Sequence, residues 1–140
     1  MALERTLCII KPDACESKVA GHILQRILDE GFSILALQRI QLTQRQAQGF
    51  YEVHRERPFY ASLCEFMTRS PVVVIALERE AAVSRWRQVI GATDPTKAEA
   101  FSIRKLYAKS MSENAVHGSD SVENGQRECN YFFPEYLLRQ

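Results

Sequence analysis

"PVVVIAL", residues 71–77, is an apolar run unbroken by any polar residue. It is shorter than a typical helix and rich in β-branched side chains, so it fits a central strand. Immediately upstream, Pro58 opens a helix in which Phe59, Leu63 and Phe66 fall at helical spacing. Before that, Thr43-Gln44-Arg45-Gln46 matches the capping box that starts a helix, here running to about His54. Phe32 to Leu42, rich in Ile and Leu with partial alternation, reads as a second strand. Val19 to Glu30 carries Ala20, Ile23, Leu24, Ile27 and Leu28 at helical spacing, and Gly31 stops it. His22 falls on its polar side. At the start of the chain, Thr6 to Ile10 is a short apolar strand ending in Lys11-Pro12-Asp13, which leaves Lys11 at a strand edge.

Downstream of the central run, Glu80 to Ile90 is helical. From Gly91 the text mixes short helical pieces with turn residues and reads as a long functional loop region. A short strand near Ala115 to His117 and a helix from Ser121 to Phe133, ended by Pro134, complete the order. The pattern is that of an α+β split β-α-β arrangement, a four-stranded antiparallel sheet covered by helices, with the helices expected on one face.

The totals narrow the function classes. A chain of 140 residues buries roughly two thirds of its unfolded surface, enough for one domain over 1–140 without staples. Hydrophobic content of 46% and charge of 25% suit a soluble globular protein. A net charge of +1 gives no general attraction to nucleic acid or membrane, so any bound anion needs a local cluster. That balance also argues against nucleic-acid binding through the basic segments near Arg85 and Lys105. Cys8, Cys15, Cys64 and Cys129 form no C-x-x-C pair and read as reduced thiols. With no signal-like or membrane-length apolar segment, the expected location is cytoplasmic.

"ENAVHGSDSVE", residues 113–123, gives His117 no apolar face of its own. An imidazole on an exposed turn is a candidate nucleophile, base or ligand. Lys11, Thr93, Arg104 and Asn114 also stand at element ends, and such cations with amide and hydroxyl donors suit a phosphate. No glycine-rich phosphate loop is present, so side chains would have to hold a nucleotide. Around Trp86, both Arg85 and Arg87 flank the apolar face, and periodicity does not choose between them. His22 and His54 read as surface residues, and no two histidines stand at ligand spacing. Ser119 and Asp120 are candidate caps of the following helix.

The segment "NAVHGSDS", Asn114 to Ser121, matches an N-x-x-H-G-S-D motif, and "ERTLCIIKPDA", "GFYEVHRERPF" and "GATDP" follow in matching order and spacing. On these segments the chain resembles the nucleoside diphosphate kinases over nearly its whole length, and its short C-terminus at Gln140 resembles bacterial-type members. The resemblance implies a ferredoxin-like domain that moves the terminal phosphate of a nucleoside triphosphate, mainly ATP, to a nucleoside diphosphate. It implies ping-pong transfer through a phosphohistidine at His117, with Mg²⁺ carried by the nucleotide phosphates rather than by protein ligands, and a homo-oligomer of two, four or six subunits. An imidazole, largely neutral near pH 7, has a free lone pair for such an attack.

Carried over by position, Lys11 and Arg104 would neutralise phosphate charge while Arg87 and Thr93 hold the phosphate chain. Asn114 and Lys11 would meet the sugar hydroxyls. Phe59 would stack on the base, with Leu63 and Met111 lining its other side. Tyr51 would support Lys11 and the histidine pocket, Ser119 would support the site, and Glu128, eleven residues after His117, would orient the imidazole. The chain departs from the family at Phe101-Ser102-Ile103-Arg104, where G-T-[IL]-R is usual, at Leu106 for a common aspartate, and at Arg69-Ser70 and Arg79, which replace small residues. The Phe101 and Leu106 departures motivate one alternative, a nucleotide-binding or regulatory module of the same fold that has lost catalysis.

Overall fold

The computed structural model describes residues 2–138. In chain order come β1 (Leu3–Ile10), α1 (Pro12–Glu16), α2 (Ala20–Asp29), β2 (Ser33–Ile40), α3 (Gln44–Phe50), a single 3-10 turn (Glu52–His54) and α4 (Tyr60–Met67). Then follow β3 (Val72–Glu80), α5 (Ala82–Ile90), α6 (Ile103–Tyr107), β4 (Val116–His117), α7 (Val122–Phe132) and α8 (Glu135–Leu138). Gln140, on which the likeness to bacterial-type members rests, lies outside the described residues.

The strands form one sheet in the order β2-β3-β1-β4 with every neighbouring pair antiparallel. The run at 71–77 thus becomes β3, an interior strand, and the arrangement is the four-stranded ferredoxin-like sheet expected. One detail is corrected: helices cover both faces. Cys8, Ile10, Ile75 and Leu77 pack with Ile23 and Ile27 of α2 and with Trp86, Val89 and Ile90 of α5. Leu7, Ile9, Val72, Val74 and Ala76 pack with Phe50 of α3, Met67 of α4 and Cys129 of α7. Successive strand residues point to opposite sides, so an apolar run without alternation requires cover on both.

Local chemistry explains the element ends. Thr43 Oγ1 accepts from the Gln46 amide at 3.0 Å while Gln46 Oε1 accepts from the Thr43 amide at 2.9 Å, the expected capping box. The helix it opens stops at Phe50, and the stretch to His54 is the separate 3-10 turn. The cap of α7 is Ser121, whose Oγ accepts from the Asn124 amide at 3.1 Å. The capping role expected of Ser119 and Asp120 is therefore corrected. Ser119 is fully buried against β1, and Asp120 instead accepts from the Asn124 side chain at 2.6 Å.

The chain after His117 runs flat against the core. A Cβ at Gly118 would stand 2.8 Å from Trp86 and from Ile90 side-chain atoms, so only glycine permits that approach. Trp86 Nε1 donates to the His117 carbonyl at 3.3 Å from the same side.

Candidate active site

β4 brings His117 opposite Ile9 at the end of the sheet, where α7 passes over β1. His117 Nε2 lies 2.8 Å from Glu128 Oε1. Ser119 Oγ donates to the same oxygen at 2.6 Å while accepting from the Leu7 amide at 3.0 Å, and the Ser119 amide donates to Thr6 Oγ1 at 3.2 Å. The imidazole is thus tied through one carboxylate to the centre of the sheet. Burial pushes the Glu128 carboxyl upward, yet the His117 hydrogen bond and charge, the Ser119 hydroxyl and the Arg127 charge together hold it below the usual carboxylate range. An ionised carboxylate only accepts, so the ring proton sits on Nε2 and the Nδ1 lone pair is left for chemistry. Phe50 packs edge-on to the imidazole at 5.5 Å between ring centroids.

A cavity of about 400 Å³ opens beside this histidine. Of the residues the sequence singled out, Tyr51, Arg87, Thr93, Arg104, Asn114, His117 and Glu128 line it. Arg85, by contrast, pairs with Glu30, so Arg87 is the arginine of that helix that faces the cavity. Lys11 and Ser119 lie in its buried support. Lys11 Nζ donates to Asn114 Oδ1 at 2.8 Å, and the lysine is 8% exposed. Phe59, Leu63 and Met111 do not form the cavity wall. Phe59 packs on His54, with centroids 5.5 Å apart, and His54 does line the wall.

Cations outnumber carboxylates around the cavity, with Arg87, Arg104 and Arg127 lining it against Asp120 and Glu128, and Lys11 behind. Arg104 donates to the carbonyl oxygens of Gly91, Asn114 and Val116 at 3.1, 3.2 and 2.9 Å. Among the described residues, Lys11, Arg87 and Arg104 form no ion pair with a carboxylate. Burial, with the Arg104 charge adding and Asp13 opposing, pushes the Lys11 ammonium down to about 8. Burial and the Arg87 charge push the Arg104 guanidinium down to about 10. Burial is the larger cause for both, and the neighbouring positive charge adds to it.

Several residues of the site went unsingled in the sequence. His54, read as surface, lines the wall, as do Phe50, Asn124 and Arg127, and Asp120, read as a helix cap, lines it too. Asp13 is buried and its Oδ2 accepts from the Ala115 amide at 3.0 Å, which holds the turn between Asn114 and His117 at an Ala115 φ of 73°. Arg127 and Asn124 were legible from the helical repeat that brings α7 residues back to one face, but not without knowing the strand beneath. Tyr51 Oη is buried and has no hydrogen-bond partner among the described residues.

The two departures that motivated a non-catalytic alternative are surface features. Phe101 is 76% and Leu106 51% exposed, while Arg104 between them still reaches the cavity.

Fold and site together describe a ferredoxin-like α+β domain with a histidine, a carboxylate partner and unpaired cations around one nucleotide-sized cavity. The family model described as "Nucleoside diphosphate kinase" matches residues 4–137. A protein of that name from Sorangium cellulosum is 57% identical over 136 residues, covering 97% of this chain and 94% of its own. One from Geotalea uraniireducens is 52% identical, covering 97% and 99%. The crystal structure of the Aquifex aeolicus nucleoside diphosphate kinase superposes with a TM-score of 0.95 at 45% identity, covering 99% of this chain and 100% of that one. The chain belongs to the nucleoside diphosphate kinase family, and so to the phosphotransferases.

Proposed function

We propose that this kinase moves the terminal phosphate of a nucleoside triphosphate to a nucleoside diphosphate through a phosphate carried on His117 Nδ1. The observation that carries this reading is the Glu128 carboxylate 2.8 Å from His117 Nε2 beside a cavity of unpaired cations. The Nδ1 lone pair attacks the terminal phosphorus as the bond to the bridging oxygen breaks, and the nucleoside diphosphate leaves. The imidazolium charge that builds on the ring is stabilised by Glu128, whose own position Ser119 holds. A second nucleoside diphosphate then takes the phosphate by the reverse step.

The transferred group loses little covalent help and depends on positioning and charge. Lys11, Arg87 and Arg104 supply the positive charge, Thr93 a hydroxyl, and Tyr51 a phenol whose buried oxygen has no other described partner. Asn114 and Lys11 meet the sugar, and the base extends beyond the cavity wall to the exposed Phe59 and Met111 and to Leu63, a stacking mode tolerant of base identity. Mg²⁺ fits this donor set as an ion borne by phosphates. The cavity wall offers Asp120, a carboxylate beside the Glu128 already engaged by His117 and Ser119, which could reach such an ion. When bound, it offsets charge on the phosphate chain.

The family match over 4–137 supports one domain, and the four unpaired cysteines suit a reducing cytoplasm. No helix among the described residues is long and apolar enough to cross a membrane. Assembly as a homo-oligomer is part of the same reading. ATP labelled on its terminal phosphate tests the transfer. The label should enter the protein in an acid-labile, alkali-stable form and pass to GDP, and His117→Ala should abolish both steps. An unlabelled protein, or equal labelling of His117→Ala, contradicts the reading.

A further inference from the structure

Arg69 lies in the turn between α4 and β3, far in sequence from the cavity. Its Nε donates to Glu16 Oε2 at 3.0 Å and its Nη2 to Glu16 Oε1 at 2.6 Å, a two-pronged pairing with the last residue of α1. The same Nη2 reaches Glu113 Oε1 at 3.3 Å. Ser70 Oγ adds a bond to Glu16 Oε2 at 2.5 Å, and the guanidinium sits 5.0 Å over the Phe66 ring. One guanidinium therefore joins α1, the α4–β3 turn and the segment just before Asn114. Both residues stand where the family usually has small ones.

The segment it grips is a small closed unit. Lys109 and Ser110 amides donate to the Glu113 carbonyl at 2.9 and 3.2 Å, and the Glu113 amide donates to Ser110 Oγ at 3.0 Å. Asn114 Nδ2 then donates to the Met111 carbonyl at 3.0 Å. Residues 109 to 112 are exposed, so this turn has few apolar contacts to anchor it. Its links to the rest of the chain include Asn114, through Lys11 and Arg104, Glu113, through Arg69, and the Lys109 charge, which acts on Glu16. A partly exposed ion pair adds little to global stability, but it acts strongly on a turn held at so few points.

We propose that Arg69, acting through Glu113, is a positioning residue that holds the 109–113 turn, and with it Met111 and Asn114, ready for the nucleoside half of the substrate. This rests on the nucleotide reading of Asn114 and Met111 given above. Glu16 and Ser70 hold the guanidinium from the other side, so the clamp is anchored on the body of the domain. Loss of the clamp lowers the fraction of molecules with the turn in place, and apparent affinity falls by that fraction.

Arg69→Ala should raise KM for nucleoside diphosphate and Kd for ADP about fivefold. The maximal rate of phosphoenzyme formation at saturating ATP should stay within about twofold. Glu113→Gln should behave alike, the double variant should be no worse than either single one, and Arg69→Lys should recover part of the affinity. A Kd for ADP within about twofold of the unchanged protein in both Arg69→Ala and Glu113→Gln overturns the proposal. So does a multiplying of the two effects, or a fall in maximal rate with KM unmoved. Calorimetric ADP binding reads the proposal whether or not phosphate reaches His117. Failure of the label experiment alone thus counts against the kinase reading, and unchanged ADP affinity alone against the clamp.

Discussion

Two sides of the cavity are built in opposite ways. On the His117 side, the imidazole, Glu128 and Ser119 are joined by short, directed hydrogen bonds, and Ser119 ties the chain to the backbone of β1. On the 91–114 side, Arg104 spends its donors on three carbonyls and Lys11 its ammonium on Asn114, all neutral acceptors. The first side fixes the orientation of one ring, and the second stores uncompensated positive charge. Orientation suits the atom that must attack, and stored charge suits the phosphates that must be held in place while it does.

The largest effect that would break this contrast comes from Glu128. In Glu128→Gln the amide cannot offer the ring the same charged acceptor, and kcat should fall by roughly tenfold to a hundredfold with KM little changed. A KM effect without a kcat effect would make the two sides alike. Next comes pH. The free enzyme loses the Lys11 charge as pH rises through about 8, so kcat/KM should fall above that point. The same shift bears on stability with the opposite sign. Between about 8 and the ordinary lysine value of 10.5, the unfolded chain keeps the proton that the folded one has released, so stability rises with pH across that window. A rate profile flat from pH 7 to 10, set against a melting temperature that also does not move, would remove Lys11 from the charged side.

The smallest effect concerns the loop backbone. Phe101 holds φ at 67° with its ring 76% exposed, and the residue sits where glycine is usual in the family. A side chain in the left-handed region costs about 1–2 kcal/mol, and no described core contact offsets it. Phe101→Gly should therefore raise the melting temperature by about 4 °C without altering kcat. A lower melting temperature would mean that the exposed ring is covered in the assembled protein.

How far the sequence carried the reading divides along the same line. The elements, their order and the interior place of Val72–Leu77 were legible because apolar periodicity reports burial directly. Cover on both faces was written in the same run and needed only the absence of alternation to be taken at full weight. The His117 corner was legible through its motif, since His117, Ser119 and Glu128 lie within one short span. Asp13 and His54 were not, because their place in the site depends on the folded chain: Asp13 accepts from the Ala115 amide far along the sequence, and His54 meets the other cavity-lining residues only once the elements pack. Arg69 was visible as an odd residue, and only its meeting with Glu16 and Glu113 gave the oddity a meaning.

Glu128 holds the Nε2 proton and so presents Nδ1. The most direct measurement is the phosphorus magnetic resonance spectrum of the phosphoenzyme, compared with the two phosphohistidine isomers. The predicted result is phosphate on Nδ1 of His117. Phosphate on Nε2 would require Glu128 to have released the ring, and would contradict the account.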